Sequence, residues 1–105
     1  MPDVEEGTTY GSPALKVAGK MFACLASHRS ADPGSLVLRM GFDERQQLMA
    51  ADPDTYYLTD HYLDYPVVLV RLNRIHHDAL QDLLVRARQF TMASGKRRTR
   101  GRKTA

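Results

Sequence analysis

The chain has 105 residues, of which 43% are hydrophobic and 26% charged, and its formal net charge is +3. This composition is typical of one small globular domain and excludes a collagen-like or wholly disordered chain. A single cysteine excludes an internal disulfide, and no apolar run approaches the roughly 18 residues of a membrane span, so we expect a cytoplasmic protein without a membrane partner.

The first elements in chain order are an extended segment and a β-hairpin. Residues 1–13 lack hydrophobic periodicity and contain two glycines and two prolines, which predicts an extended N-terminal segment. Apolar residues on both sides of Ala18-Gly19 then indicate a hairpin with a two-residue turn, in which Val17 would pair with Lys20, and Leu15 with Phe22. Alternating apolar residues predict a third strand over 35–40.

The second half of the chain begins with a helix. Asp43, followed by Gln46 three residues later, resembles a capping box, and Asp52-Pro53 would end the helix. Two strands are expected between residues 52 and 72, the second being the apolar run Val67–Val70, whose continuous hydrophobicity indicates burial on both faces. Apolar residues at positions 80, 83, 84, 87 and 90 predict a final amphipathic helix.

This order of elements predicts the fold class. Strands grouped as β-β-β-α-β-β-α are typical of a single small α+β domain, with an antiparallel sheet and helices on one face. The predicted organisation is an extended segment over 1–13, the α+β domain over 14–94 and a disordered basic tail over 95–105.

The basic excess of the chain lies in this tail. Its cationic residues are Lys96, Arg97, Arg98, Arg100, Arg102 and Lys103. Nine of the fifteen Lys and Arg remain in residues 1–95, together with all twelve acids, which gives that part a net charge of −3. A flexible cationic segment displaces counterions from phosphates, which predicts salt-sensitive, non-specific binding to nucleic acid. A basic terminus that serves only solubility is the alternative interpretation.

Within the body, cationic side chains could extend this phosphate-binding surface. The candidates are Lys16, Lys20, Arg39 and Arg45. A solvated, salt-bridged surface is the alternative interpretation of these residues.

Tyrosines are concentrated around His61. The surrounding segment also contains Asp54, Asp60 and Asp64, which would repel a phosphate backbone. Packing of the tyrosines over the sheet edge is one interpretation. The other is a cleft for a small molecule or peptide, built from Tyr57, His61, Tyr62 and Arg71.

The sequence predicts no catalytic residue, metal site or cofactor. Asp60 and His61 are adjacent, and in an extended segment they would point to opposite faces, so the carboxylate would not orient the imidazole. Cys24 lies in an apolar predicted strand. The histidines show neither the close ligand pairs of structural zinc sites nor a His-x-x-x-His spacing.

Several motifs carry a family resemblance. They read Pro13-x-Leu15-Lys16-Val17-x-Gly19-Lys20-x-Phe22-Ala23-x-Leu25, then Leu36-Val37-Leu38-Arg39, Arg45, Asp52-Pro53-x-x-Tyr56-Tyr57-x-Thr59-Asp60-His61-Tyr62 and Tyr65-Pro66. From about Val4 to Phe90 the chain resembles the MmcQ/YjbR family in the order and spacing of these residues. The resemblance implies a small α+β domain related to secretion-chaperone and CyaY-like folds. Members are described as DNA-binding on the basis of fold, which is an argument by analogy.

Two features depart from the family pattern. Family members generally begin with an amphipathic helix that ends in a Leu-Pro-Gly-Val-Glu-like turn, and here residues 2–6 resemble that turn without the helix before it. Either the start lies upstream, or a hydrophobic face is left that a second subunit could cover, which would give a homodimer. The basic tail is the other departure. The leading prediction is a non-enzymatic protein that binds DNA through phosphate contacts; the alternative is a small adaptor or ligand-binding protein that uses the tyrosine and histidine cleft.

Overall fold

The computed structural model describes residues 3–9 and 11–104, with backbone only for Thr9 and for residues 94–104. Its elements are β1 (Val4–Thr9), β2 (Ser12–Val17), β3 (Lys20–Leu25), β4 (Ser35–Arg39), α1 (Phe42–Ala51), β5 (Tyr56–Tyr57), a 3₁₀ turn (Asp60–Tyr62), β6 (Val67–Arg71) and α2 (His77–Thr104). Helix α2 includes the backbone of residues 95–104. The side chains of the basic segment lie outside the described residues, so the predicted domain boundary at residue 95 stays a prediction.

The strands form one six-stranded antiparallel sheet in the order β1-β2-β3-β4-β6-β5. This confirms the predicted α+β class. The extended N-terminal segment supplies an additional edge strand, because β1 pairs with β2 along its whole length, from Val4 opposite Val17 to Thr9 opposite Ser12. Asp3, just before β1, forms an ion pair with Arg88 of α2, and the hydrogen bond from this guanidinium lowers the pKa of the Asp3 carboxyl.

A β-bulge in the hairpin of β2 and β3 changes the predicted pairing. Val17 lies opposite Lys20, as predicted, but Leu15 lies opposite Ala23 and not Phe22. The register shifts between Leu15 and Lys16, which leaves Phe22 as the extra residue of the bulge. As a result Phe22 and Ala23 both lie in the main core, and they are 0% and 1% exposed.

The two helices cover one face of the sheet, as predicted. Helix α2 packs against β2, β3 and β4, and α1 packs against β5 and β6. The main core between the layers comprises Val17, Phe22, Ala23, Leu38, Met40, Tyr56, Val68, Val70, Leu83 and Ala87.

A second apolar cluster covers the opposite face, which we call the tyrosine-covered face. Its buried members are Ala14, Cys24, Val37, Val67 and Leu69. Partly buried side chains lie over them, including Tyr57 and Tyr62. The run Val67–Val70 is therefore buried on both sides, as its continuous hydrophobicity predicts.

Helix α1 does not begin with the predicted capping box. It starts at Phe42, with Gly41 as the N-cap residue and no side-chain cap. Asp43 lies inside the first turn, so its carboxylate interacts favourably with the helix dipole and does not cap the first amide groups. The predicted end, just before Asp52-Pro53, is confirmed.

Candidate functional site

Arg45 is buried, although the sequence suggests a surface contact. Only 6% of it is exposed, and Nη1 donates to the carbonyl oxygens of Tyr65 at 2.7 Å and Val67 at 3.1 Å, while Nη2 donates to that of Leu63 at 2.7 Å. The guanidinium also lies 4.5 Å from the centre of the Phe42 ring. These contacts hold the 63–67 segment against α1, so Arg45 is not available to a phosphate and we leave it out of the proposed surface.

Lys16 and Arg39 share the tyrosine-covered face of the sheet. Lys16 lies opposite Met21, and Arg39 lies opposite Val67, both of which belong to or pack on the second cluster. Glu5 of β1 lies directly opposite Lys16 and would offset part of its charge. Among the described residues Arg39 has no hydrogen-bond or ion-pair partner, and its Nε is buried without one.

The remaining predicted phosphate contacts lie apart from these two. Lys20 is exposed at the end of the hairpin, opposite Val17, whose side chain belongs to the main core on the other face. The side chains of the six tail residues, Lys96, Arg97, Arg98, Arg100, Arg102 and Lys103, lie outside the described residues.

Two of the four predicted cleft residues form one polar cluster. The Arg71 guanidinium lies 3.9 Å from the centre of the Tyr57 ring, and its Nε donates to Asp32 at 3.0 Å. The Tyr57 hydroxyl accepts the backbone N–H of Asp32 at 2.8 Å and lies 2.5 Å from the Ser35 hydroxyl. Arg71 Nη1 also donates to the carbonyl oxygens of Pro53 and Asp54, at 3.4 and 3.0 Å. Tyr57 and Arg71 therefore hold the loop between β3 and β4, and Arg71 also holds the segment between α1 and β5.

The other two cleft residues lie in an aromatic group with a histidine of that same loop. His61 stacks on His28, with ring centres 3.6 Å apart and ring planes 8° from parallel. Tyr62 meets both imidazoles edge-on, at 6.3 Å from His28 and 4.8 Å from His61. Burial raises the pKa of the Tyr62 hydroxyl.

The partners of the predicted cleft residues lie in the loop of residues 26–34 and are not marked in the sequence. His28, Ser30 and Asp32 contact residues 25 to 39 positions away along the chain. No local pattern marks such pairs. The turn Asp32-Pro33-Gly34 predicts only that a loop is present.

A groove of about 200 Å³ lies in another part of the sheet. Its lining includes Leu15, Ala23, Leu25 and Leu36, with Glu6 at the side. It contains no tyrosine or histidine, so it is not the cleft that the sequence suggests.

Metal-binding groups and membrane-spanning helices are both absent from the described residues. No group of three or more His, Cys, Asp or Glu side chains there is arranged to hold a metal ion. None of the helices in that part of the chain is long and apolar enough to cross a membrane.

Comparison with known proteins gives one match. A family model described as YjbR matches residues 1–90, which include the six strands of the sheet, α1 and the first part of α2. Neither the curated proteins nor the solved structures contain a significant match. The family match covers well over half of the chain, and we conclude that this protein belongs to the MmcQ/YjbR family.

Proposed function

We propose that this chain is a non-enzymatic, cytoplasmic protein that binds DNA without base preference, mainly through phosphate contacts of its basic C-terminal segment. The observation that carries the proposal is the separation of charge along the chain. Residues 96–103 contain six cations and no acid, whereas residues 1–95 carry a net charge of −3. Lys and Arg contacts to phosphate supply affinity but no sequence information.

The folded body contributes less to this binding. Lys16 and Arg39 share one face of the sheet and would orient the duplex there, and Lys20 would add a contact at the hairpin end. Glu5 opposite Lys16 weakens the field of that face. The tail has six cations, whereas the body contributes three, one of which lies opposite Glu5. The tail is therefore the dominant source of affinity.

The test is binding of a fluorescent DNA duplex across a salt series. Six tail contacts contribute roughly −0.9 each, so full-length protein should give a log–log slope of at least about −5, which any contacts of the body make steeper. A full-length variant with all six tail cations replaced by Gln should lose most of this slope and most of the affinity. A slope unchanged by that variant would refute the tail as the binding element.

A matched pair of variants tests the body. Lys16→Gln with Arg39→Gln removes two cations from the proposed face, and Arg74→Gln with Arg86→Gln removes two cations elsewhere. The first pair should reduce the slope by up to about 2, and the second should change it less. Equal effects would mean that only net charge matters and that no face of the body is used.

A ligand-binding or adaptor protein is the second candidate. The observation that favours it is the stack of the half-buried His28 on the exposed His61, beside Tyr62. Tyr57 and Arg71 have structural partners, so any ligand would contact mainly the imidazoles. This candidate would take precedence if the full-length protein fails to bind the duplex at low salt.

A further inference from the structure

The contact between His28 and His61 joins two segments that are far apart in sequence. His28 lies in the loop of residues 26–34, and His61 lies in the 3₁₀ turn. A hydrogen bond of 2.8 Å between the Ser30 and Thr59 hydroxyls adds a second link between the same segments. The two links form a unit that we call the clasp, comprising His28, His61, Ser30 and Thr59.

The hydrogen bonds of the clasp define the protonation state of His28. The backbone N–H of Ser30 donates to His28 Nδ1 at 3.1 Å. Because an N–H group can only donate, this Nδ1 carries no proton, and the imidazole is neutral with its proton on Nε2. The Ser30 hydroxyl lies 2.8 Å from the same Nδ1 and can donate a second hydrogen bond to it.

We propose that the clasp is pH-sensitive: it holds the loop of residues 26–34 against the 3₁₀ turn while both imidazoles are neutral, and it releases the loop when both are protonated. Protonation of His28 would place two N–H groups, its own and that of Ser30, face to face. Protonation of both rings would place two positive charges close together, because the ring centres of the stack are 3.6 Å apart.

The charged surroundings favour the neutral clasp. Loss of hydration lowers the pKa of His28, and the neighbouring His61 and Arg29 lower it further. The other titratable groups around the clasp are Tyr62 and, beyond it, Cys24 and Tyr57. The carboxylates of the same two segments are Asp32, which pairs with Arg71, and Asp60, which precedes His61. Within the described residues no carboxylate forms an ion pair with either imidazole.

The direction of the pH effect follows from proton linkage. A histidine whose pKa is lowered by folding binds fewer protons in the closed state than in the open one. The clasp is therefore fully stabilising above the ordinary histidine value of 6.5, and it weakens as the pH falls through the lowered pKa of His28.

Release of the clasp would uncover the second apolar cluster. Tyr62, which follows His61 in the 3₁₀ turn, packs on this cluster, and Ala26 and Ala31 of the loop pack on it as well. Cys24 is a buried member of the cluster, 8% exposed, and the sole cysteine of the chain. Its thiol is therefore a built-in reporter of opening, independent of any binding to DNA.

The experiment measures the reaction of Cys24 in the full chain with 4,4′-dithiodipyridine between about pH 7.5 and 5, relative to glutathione at the same pH. Acidification should raise the relative rate. The expected rise is about tenfold for each pKa unit by which the closed clasp lowers the pKa of His28. A variant with His28→Phe and His61→Phe keeps two stacked rings that cannot titrate, and its relative rate should be independent of pH.

The control variant carries His76→Phe and His77→Phe, two exposed histidines away from the clasp, and it should respond to pH like the wild type. A wild-type rate that does not rise, or a response that survives in the His28 and His61 variant, would overturn the proposal. An NMR titration of the unaltered chain gives a second test that needs no variant. His28 should titrate below 6.5, and a normal or raised value would also overturn the proposal.

Discussion

Arg45 shows how a single charged side chain organises a segment that has little regular structure. The 63–67 segment connects the 3₁₀ turn to β6, and three of its carbonyl oxygens point to one guanidinium. Burial lowers the pKa of Arg45 and Asp64 opposes that effect. Because the bonds to Arg45 are charge-assisted, each is stronger than a neutral hydrogen bond.

Replacing Arg45 by Met should therefore destabilise the protein strongly. The substitution preserves much of the apolar stem but leaves the Leu63, Tyr65 and Val67 carbonyls without their donor, at an expected cost of about 3 kcal/mol in the free energy of unfolding. Urea denaturation measures this change.

The matched control for that measurement is Arg86→Met. Arg86 makes ion pairs with Glu44 and Asp82, but its side chain is 55% exposed, so its loss should cost at most about 1 kcal/mol. Similar costs for the two variants would contradict the structural role assigned to Arg45.

At the scale of the element, the hairpin of β2 and β3 combines two local irregularities. Ala18 and Gly19 both have positive φ, at 51° and 77°, which matches the tight turns that favour the twist of a hairpin. The bulge at Phe22 follows immediately and directs two consecutive side chains into the main core. The turn is readable from the sequence, whereas the bulge is a result of tertiary packing.

Ala18→Asn should stabilise the hairpin. An alanine with positive φ is strained, and Asn tolerates this conformation better, so the Asn-Gly turn should raise the free energy of unfolding by about 1 kcal/mol. Thermal denaturation should show an increase of about 4–8 °C for a domain of this size.

The same substitution at another exposed alanine separates the turn effect from the side chain itself. Ala50→Asn lies in helix α1, where Asn is a weaker helix former than Ala and should be destabilising by about 0.5 kcal/mol. Stabilisation at position 50, or destabilisation at position 18, would contradict this account of the turn.

Most elements could be predicted because their signals are local. Each of three elements has an apolar pattern that indicates one kind of burial. These patterns are the alternation over 35–40, the continuous apolar run Val67–Val70 and the helical stripe over 80–90. The pairing of β1, the N-cap at Gly41 and the stack of His28 on His61 depend on partners distant in sequence or on backbone geometry. Arg45 shows the same limit at the candidate site, since a buried and an exposed arginine look alike in sequence.

At the scale of the whole molecule, the buried core and the excess of positive charge lie in different parts of the chain. Every buried residue among those described lies between Ala14 and Thr91. The cations that give the chain its positive net charge follow at residues 96–103. A chain that ends at Ser94 would therefore keep the described core and reverse its net charge from +3 to −3.

This separation predicts that truncation at Ser94 changes binding but not folding. The truncated chain should melt within about 3 °C of the full-length protein, because a difference below about 0.5 kcal/mol corresponds to that shift in a domain of this size. It should also keep the acid response of Cys24, since the clasp lies wholly in residues 28–61. A much lower melting temperature would mean that residues 95–105 pack on the body, and a loss of DNA binding on truncation would then report lost structure as well as lost charge. An unchanged melting temperature together with lost DNA binding would assign the affinity to the phosphate contacts of the tail.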